Sequence, residues 1–189
     1  MPGSSTDMQV ALGGNLPGPG GSPEANLVRA VAGMAAAGLE LRALSRFYRT
    51  PCFPAGAGPD FVNAAALVRG GGDPAEVLAI LHAIEAGMGR VRAQRWQERP
   101  IDLDLIAAGD LVLPDAATER HWRGLGPEDQ ARLAPDRLIL PHPRLADRAF
   151  VLVPLADIVP GWVHPATGRS VMQMLGDLPA AARADVHPL

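Results

Sequence analysis

Apolar and polar positions along this chain fall into alternating strand-like and helix-like stretches. Residues 8–12 (MQVAL) form a short apolar strand that leaves a polar start and runs into a Gly-Gly-Asn-Leu-Pro-Gly loop. Ser22-Pro23-Glu24 then opens a helix, with Ser as N-cap, Pro at the first helical position and an acid near the positive end of the dipole. Leu27, Val31 and Met34 keep helical spacing, and Gly38 stops the element. Residues 39–50 (LELRALSRFYRT) alternate well enough for one long strand, and 60–69 (DFVNAAALVR) for another, across a Pro- and Gly-rich loop. A second helix starts at Asp73-Pro74-Ala75-Glu76, which resembles a capping box. Its stripe is Val77, Leu81, Ile84 and Met88, and it ends at Gly87 and Gly89. A polar loop, 90–99, leads into a strand at 101–107 (IDLDLIA). Gly109-Asp110 turns the chain into 111–113, 137–140 reads as a further strand, and Pro141-His142-Pro143 forces a rigid bend. Residues 144–158 read as a short helix plus an apolar run. The order β-α-β-β-α-β predicts an α+β fold of the ferredoxin-like type, an antiparallel sheet with both helices on one face.

A length of 189 residues favours a single domain over 1–189. Within it, 1–7 is expected as a flexible start, 115–136 as a surface insertion and 161–189 as a C-terminal appendage. All 17 basic residues are Arg, and Lys is absent. That excludes a Walker phosphate loop and any Schiff-base lysine, so phosphate would have to be held by Arg and metal. Cys52 is the single cysteine, which excludes an internal disulfide and a Cys-based zinc site and fits a reducing cytosol. It is read as a small buried hydrophobe. No signal peptide or membrane span is recognisable, so a cytoplasmic location is expected. A net charge of −3 and an aromatic share of 4% argue against nucleic acid or an anionic membrane as partner.

Asp102 and Asp104 carry the sharpest chemical signal. Residues i and i+2 of a strand share a face, so the two carboxylates are neighbours that repel unless a cation sits between them. Oxygen-only donors suit Mg²⁺ or Mn²⁺, with substrate phosphates completing the shell. The bland alternative is an edge strand with two solvated acids. Arg90, Arg92, Arg95 and Arg99 lie in the adjoining loop, and guanidinium forks beside a metal-binding pair are what polyphosphate recognition requires. Trp96 sits in the same loop as a candidate lid or stacking residue, and His142 is held rigidly between two prolines. Asn63 stands among small apolar residues, where an amide either satisfies backbone or reads a ligand's edge.

These pieces resemble the 6-hydroxymethyl-7,8-dihydropterin pyrophosphokinase family. The matching runs are ALGGNL, SRFYRTP, PDFVNAA, GRVR, RW, RPIDLDL, LPHPR and DRAFVLVPL, in family order, from residue 8 to about 160. The resemblance implies transfer of diphosphate from ATP to the pterin's hydroxymethyl oxygen, with two Mg²⁺ ions held by Asp102 and Asp104. It implies phosphate contacts from Arg90, Arg92 and Arg99, which with the two aspartates make up the catalytic set. Arg92, Arg95 and Trp96 would ride on a loop that closes over the site. His142 and Arg148 match nucleotide-binding positions, and Glu85 and Arg137 match lesser ones. The pterin would lie between Phe61 and Phe150, against Trp96. Asn63 and the segment carrying Thr50, Pro51 and Phe53 would read its edge. Small-molecule substrates are the expected partners, with a monomer expected and a dimer as the alternative. Two rival readings remain: a non-catalytic nucleotide-sensing module on the same scaffold, and a Mg²⁺-dependent nucleotidyltransferase.

Overall fold

Met8, Val10 and Leu12 point to one side of β1 (Thr6–Gly14) and Gln9, Ala11 and Gly13 to the other, and this strand organises the molecule. The structure is a computed structural model that describes residues 6–52, 58–70, 72–89 and 100–189. β1 pairs antiparallel with β4 (Phe61–Gly70) on one flank and β5 (Asp102–Ala108) on the other. β2 (Glu40–Leu44) and β3 (Tyr48–Thr50) follow one another along the far edge of β4. Helices α1 (Pro23–Ala36) and α2 (Pro74–Gly87) cover one face of the sheet. There Leu27, Met34, Val77 and Leu81 meet Val10, Leu12, Leu103 and Leu105 in a closed apolar layer. This is the ferredoxin-like α+β arrangement.

Both helices start as their sequences predict. Ser22 accepts a hydrogen bond from the Ala25 N–H, and Asp73 from the Ala75 N–H, with Pro first in each helix. Gly38, just past the end of α1, adopts φ +89°, a conformation open to glycine at no steric cost.

The strand expected over 39–50 is divided in two, and Ser45 is the reason. Its backbone N–H donates to the Ala65 carbonyl at 2.9 Å, while its Oγ accepts from the Ala65 N–H at 2.9 Å and donates to the Arg46 carbonyl at 2.7 Å. A side-chain oxygen thus replaces a backbone carbonyl in the ladder and turns the chain before β3 resumes. The strand expected at 137–140 is reduced to a single bridge between Leu113 and Leu140, because Pro141 offers no N–H to extend it.

The opposite face of the sheet is covered by a second apolar layer. α5 (Ala149–Ile158) and α6 (Val171–Asp177) pack Val151, Leu152, Leu155, Val171 and Met174 onto Ala65 and Ile106. Segment 161–189 thereby contributes to the core. After α7 (Ala180–Ala184), its last strand, β6 (His187–Pro188), pairs with β3. Segment 115–136 folds as α3 (Ala116–Arg123) and α4 (Pro127–Arg132), with the Glu119 carboxylate fully buried and paired to Arg123 at 2.8 Å. Among the described residues no helix is long and apolar enough to cross a membrane.

Candidate active site

Strand register brings the chemistry together. Gly13 of β1 pairs with Asp102 on one side and with Asn63 on the other. Residues opposite one another in a sheet project to the same face, so a carboxylate, a bare glycine and an amide form one row. A Cβ on Gly13 would lie 3.0 Å from Asn63 Oδ1, so glycine keeps the floor between the two side chains open. One step along the strands, Ala11 separates Asp104 from Ala65 in the same way. Asp102 and Asp104 are therefore adjacent and half-buried on the α5 side, while Leu103 and Leu105 point into the α1–α2 core.

The outer edge of β5 is held by Glu85, a buried residue of α2 whose carboxylate accepts from the Leu103 N–H at 2.7 Å. That bond sits between the two aspartates and fixes their strand. The bend at 141–144 is held just as firmly. The His142 N–H donates to the Ile106 carbonyl at 2.7 Å, and His142 Nδ1 accepts from the Arg144 N–H at 3.0 Å. With Nδ1 an acceptor, the ring proton lies on Nε2. Burial, and then the Arg148 and Arg144 charges, push the His142 pKa down to about 3 against a weaker upward pull from Asp102. The imidazole is a neutral donor at ordinary pH.

Arg148, at the N-terminus of α5, brings its guanidinium to 4.0 Å from Asp104 Oδ2 and over the Phe150 ring, 5.7 Å from its centroid. Phe150 is 39% exposed. Asn63 Nδ2 donates to Thr50 Oγ1 at 2.8 Å, which fixes the amide's orientation, and Phe61 pairs across the sheet with Thr50. Pro51 is exposed beyond β3, and Arg137 is exposed and paired with Asp136 at 3.1 Å. The structure thus gathers Thr50, Phe61, Asn63, Asp102, Asp104, His142, Arg148 and Phe150 on one side of the sheet. Glu85 serves the strand edge. Phe53, Arg90, Arg92, Arg95, Trp96 and Arg99 lie outside the described residues.

A cavity of about 830 Å³ opens beside Asp104. Asp104, Arg144, Arg148 and neutral His142 line one part, and Leu78 and His82 of α2 with residues 122–139, apolar apart from Gln130, Asp136 and Arg137, line the rest. Among the described residues no three His, Cys, Asp or Glu side chains converge as a cage. Two adjacent carboxylates on an open face, with cationic groups beyond them, suit Mg²⁺, which keeps water and substrate oxygens in its shell.

Sequence reasoning named Gly13-Gly14 as the start of a loop and within the run ALGGNL, but gave Gly13 no role in the site. It also missed the Arg144 N–H that sets the His142 ring. The first carries a signal in hindsight, two glycines ending a strand where a side chain would fill the floor.

Residues 9–160 match the family model described as 7,8-dihydro-6-hydroxymethylpterin-pyrophosphokinase. A 2-amino-4-hydroxy-6-hydroxymethyldihydropteridine pyrophosphokinase of Synechocystis sp. is 37% identical over 180 residues, covering 95% of this chain and 80% of that protein. One of Methylorubrum extorquens is 35% identical over 174 residues, covering 92% of this chain and 94% of that protein. Among solved structures, a Plasmodium falciparum HPPK-DHPS with pterin and p-hydroxybenzoate matches with a TM-score of 0.62 at 12% identity. That match covers 92% of this chain and 44% of the Plasmodium chain, so this chain spans under half of its length, and the likeness is one of fold.

Proposed function

This chain belongs to the 7,8-dihydro-6-hydroxymethylpterin-pyrophosphokinase family, and from that premise we propose that it transfers diphosphate from ATP to 6-hydroxymethyl-7,8-dihydropterin, a step of folate biosynthesis. The hydroxymethyl oxygen attacks the β-phosphorus of ATP, the bond from that phosphorus to the α,β-bridging oxygen breaks, and AMP leaves. The hydroxyl proton departs to solvent or to a carboxylate. The observation that carries this reading is the row Asp102–Gly13–Asn63, which sets a carboxylate and an amide on one floor with a bare glycine between them.

Such a transfer asks a protein for positioning and for neutralisation of charge more than for covalent chemistry. Asp102 and Asp104 would hold Mg²⁺, two ions in all, and the bound cation supplies charge neutralisation at the phosphates. Arg148 stands next to Asp104 and is placed to bind phosphate oxygens. Arg90, Arg92 and Arg99, with Arg95 and Trp96, are assigned to the phosphates and the closing loop by the family resemblance, and Arg137 to the nucleotide. Neutral His142 offers its Nε2–H to a nucleotide oxygen. Phe61 and Phe150 would stack the pterin, and Asn63, oriented by Thr50, would read its edge together with backbone at 51–53. The active unit would be the monomer, in the cytoplasm.

The test is the nucleotide product. The protein is incubated with ATP, Mg²⁺ and the pterin, and AMP, ADP and pyrophosphate are resolved. Pterin-dependent AMP without free pyrophosphate is expected. ADP would replace the reading by simple phosphoryl transfer, and free pyrophosphate by nucleotidyl transfer. ATP binding without turnover would make the chain a nucleotide sensor.

A further inference from the structure

Segment 115–136 has no assigned role, yet it is firmly attached beside the site. Asp115 caps α3 by accepting from the Ala117 and Thr118 N–H groups, both at 2.9 Å. Glu119, fully buried, holds Arg123. Arg144, whose N–H sets the His142 ring, also sends its guanidinium to the Trp122 carbonyl at 2.8 Å. One residue therefore ties the bend beside the aspartates to the last turn of α3. Past α3, Gln130 donates to the Leu125 carbonyl at 2.6 Å and closes the turn between α3 and α4.

What the segment presents to the cavity is mostly apolar, with Gln130 and Asp136 as its polar members. Trp122, Leu125 and Leu133 line the same space as Asp104 and Arg148, and Leu133 is 46% exposed. The space, about 830 Å³, falls in the range of small-molecule pockets, which runs to about 1,000 Å³. A lining with Asp104, Arg144 and Arg148 on one part and mainly hydrocarbon and indole, edged by Gln130 and the Asp136–Arg137 pair, on another matches a ligand with a polyanionic tail and a flat, weakly polar head. We infer that the α3–α4 segment is the nucleobase wall of this site, with Trp122, Leu125 and Leu133 packing against the base of ATP. The inference rests on the function proposed above and adds the element that selects the nucleotide.

The experiment measures binding rather than turnover. The full chain is titrated calorimetrically with Mg²⁺ and α,β-methylene-ATP, and separately with Mg²⁺ and inorganic tripolyphosphate, which has the charge without the base. The parent should bind the nucleotide more tightly than tripolyphosphate. Trp122→Ala and Leu133→Ala should each weaken nucleotide binding about tenfold, equivalent to about 1.4 kcal/mol, and leave tripolyphosphate binding within about twofold. Leu133 is solvent-facing, so its truncation leaves the core intact and keeps the test valid if Trp122→Ala unfolds. Equal affinity of the parent for both ligands overturns the inference. So do variants that leave nucleotide affinity unchanged, or that weaken both ligands alike. The two readings fail separately. A protein that distinguishes nucleotide from tripolyphosphate through this wall, yet makes no AMP with the pterin, refutes the enzyme and keeps the wall. An AMP-forming enzyme indifferent to the base refutes the wall alone.

Discussion

Asp104 and Gly13 show how single positions set the chemistry of this floor. Asp104 has Arg148 at 4.0 Å and Asp102 two residues away on the same face, so its loss removes half of the carboxylate pair proposed to hold Mg²⁺ without opening the core. Asp104→Ala should lower kcat/KM for AMP formation by about 1,000-fold or more, about 4 kcal/mol of transition-state stabilisation, while urea unfolding stays close to that of the parent. A variant with most of its activity would remove the carboxylate pair from the mechanism. Gly13→Ala is the complementary change. The new methyl would meet Asn63 Oδ1 at 3.0 Å, and the Asn63 amide is already fixed to Thr50. The row must then shift, at a cost of about 1–2 kcal/mol in stability. The displaced Asn63 should appear chiefly as a raised KM for the pterin with the KM for ATP little changed. Equal rises in both would show that Gly13 serves the strand rather than the pterin.

Among the elements, the interrupted edge formed by β2 and β3 depends on one hydroxyl. Ser45→Ala would leave the buried Ala65 N–H without its acceptor and cost about 1–3 kcal/mol, read as a lower urea midpoint with an unchanged m-value. A change under about 0.5 kcal/mol would mean that the backbone re-forms the ladder without the side chain. That hydroxyl also shows what was legible in the sequence and what was not. β1, α1, β4, α2 and β5 were readable within a few residues, because each carries its own period and its own start or stop signal, such as Ser22 or Asp73. The break at Ser45 was not, since a serine in an alternating stretch looks the same whether it faces water or bonds the Ala65 backbone. α5 was legible only in part, as the short helix plus apolar run expected over 144–158, for another reason. The Ala149–Ile158 run is apolar nearly all round, because it lies between the sheet and α6, and a helix buried on two sides has no polar stripe to reveal it. The aspartate pair was readable from its i, i+2 spacing. The row joining Asp102 to Asn63 depends on pairings of residues 50 and more apart along the chain, which periodicity does not contain.

At the scale of the whole molecule, two histidines couple the fold to pH. His142 ties the site bend to β5, and its pKa is pushed down to about 3 by burial and by the Arg148 and Arg144 charges. His164 is buried against Glu119 of α3. Burial lowers its pKa, the Arg123 charge adds to that, and Glu119 opposes it. Both rings are kept neutral in the folded protein, whereas in the unfolded chain they take up protons near pH 6.5. Below that pH the unfolded state therefore binds more protons than the folded state, so the stability these rings confer is complete above about pH 6.5 and drains away as pH falls. Each histidine can contribute a slope of up to about 1.4 kcal/mol per pH unit in that window. Asp157, held below the usual carboxylate range by its hydrogen bond from Arg46, adds a further loss only as pH falls through about 3.8. Urea unfolding from pH 7.5 down to 5.0 should show stability constant at first and then declining from about pH 6.5. His164→Gln should flatten part of the decline, because glutamine keeps a polar contact with α3 but does not titrate. Stability that stays level to pH 5.0 in the parent would show that the two imidazoles protonate inside the fold without disturbing it. The bend at 141–144 and the contact between α3 and residue 164 would then hold by packing and hydrogen bonds that are indifferent to charge.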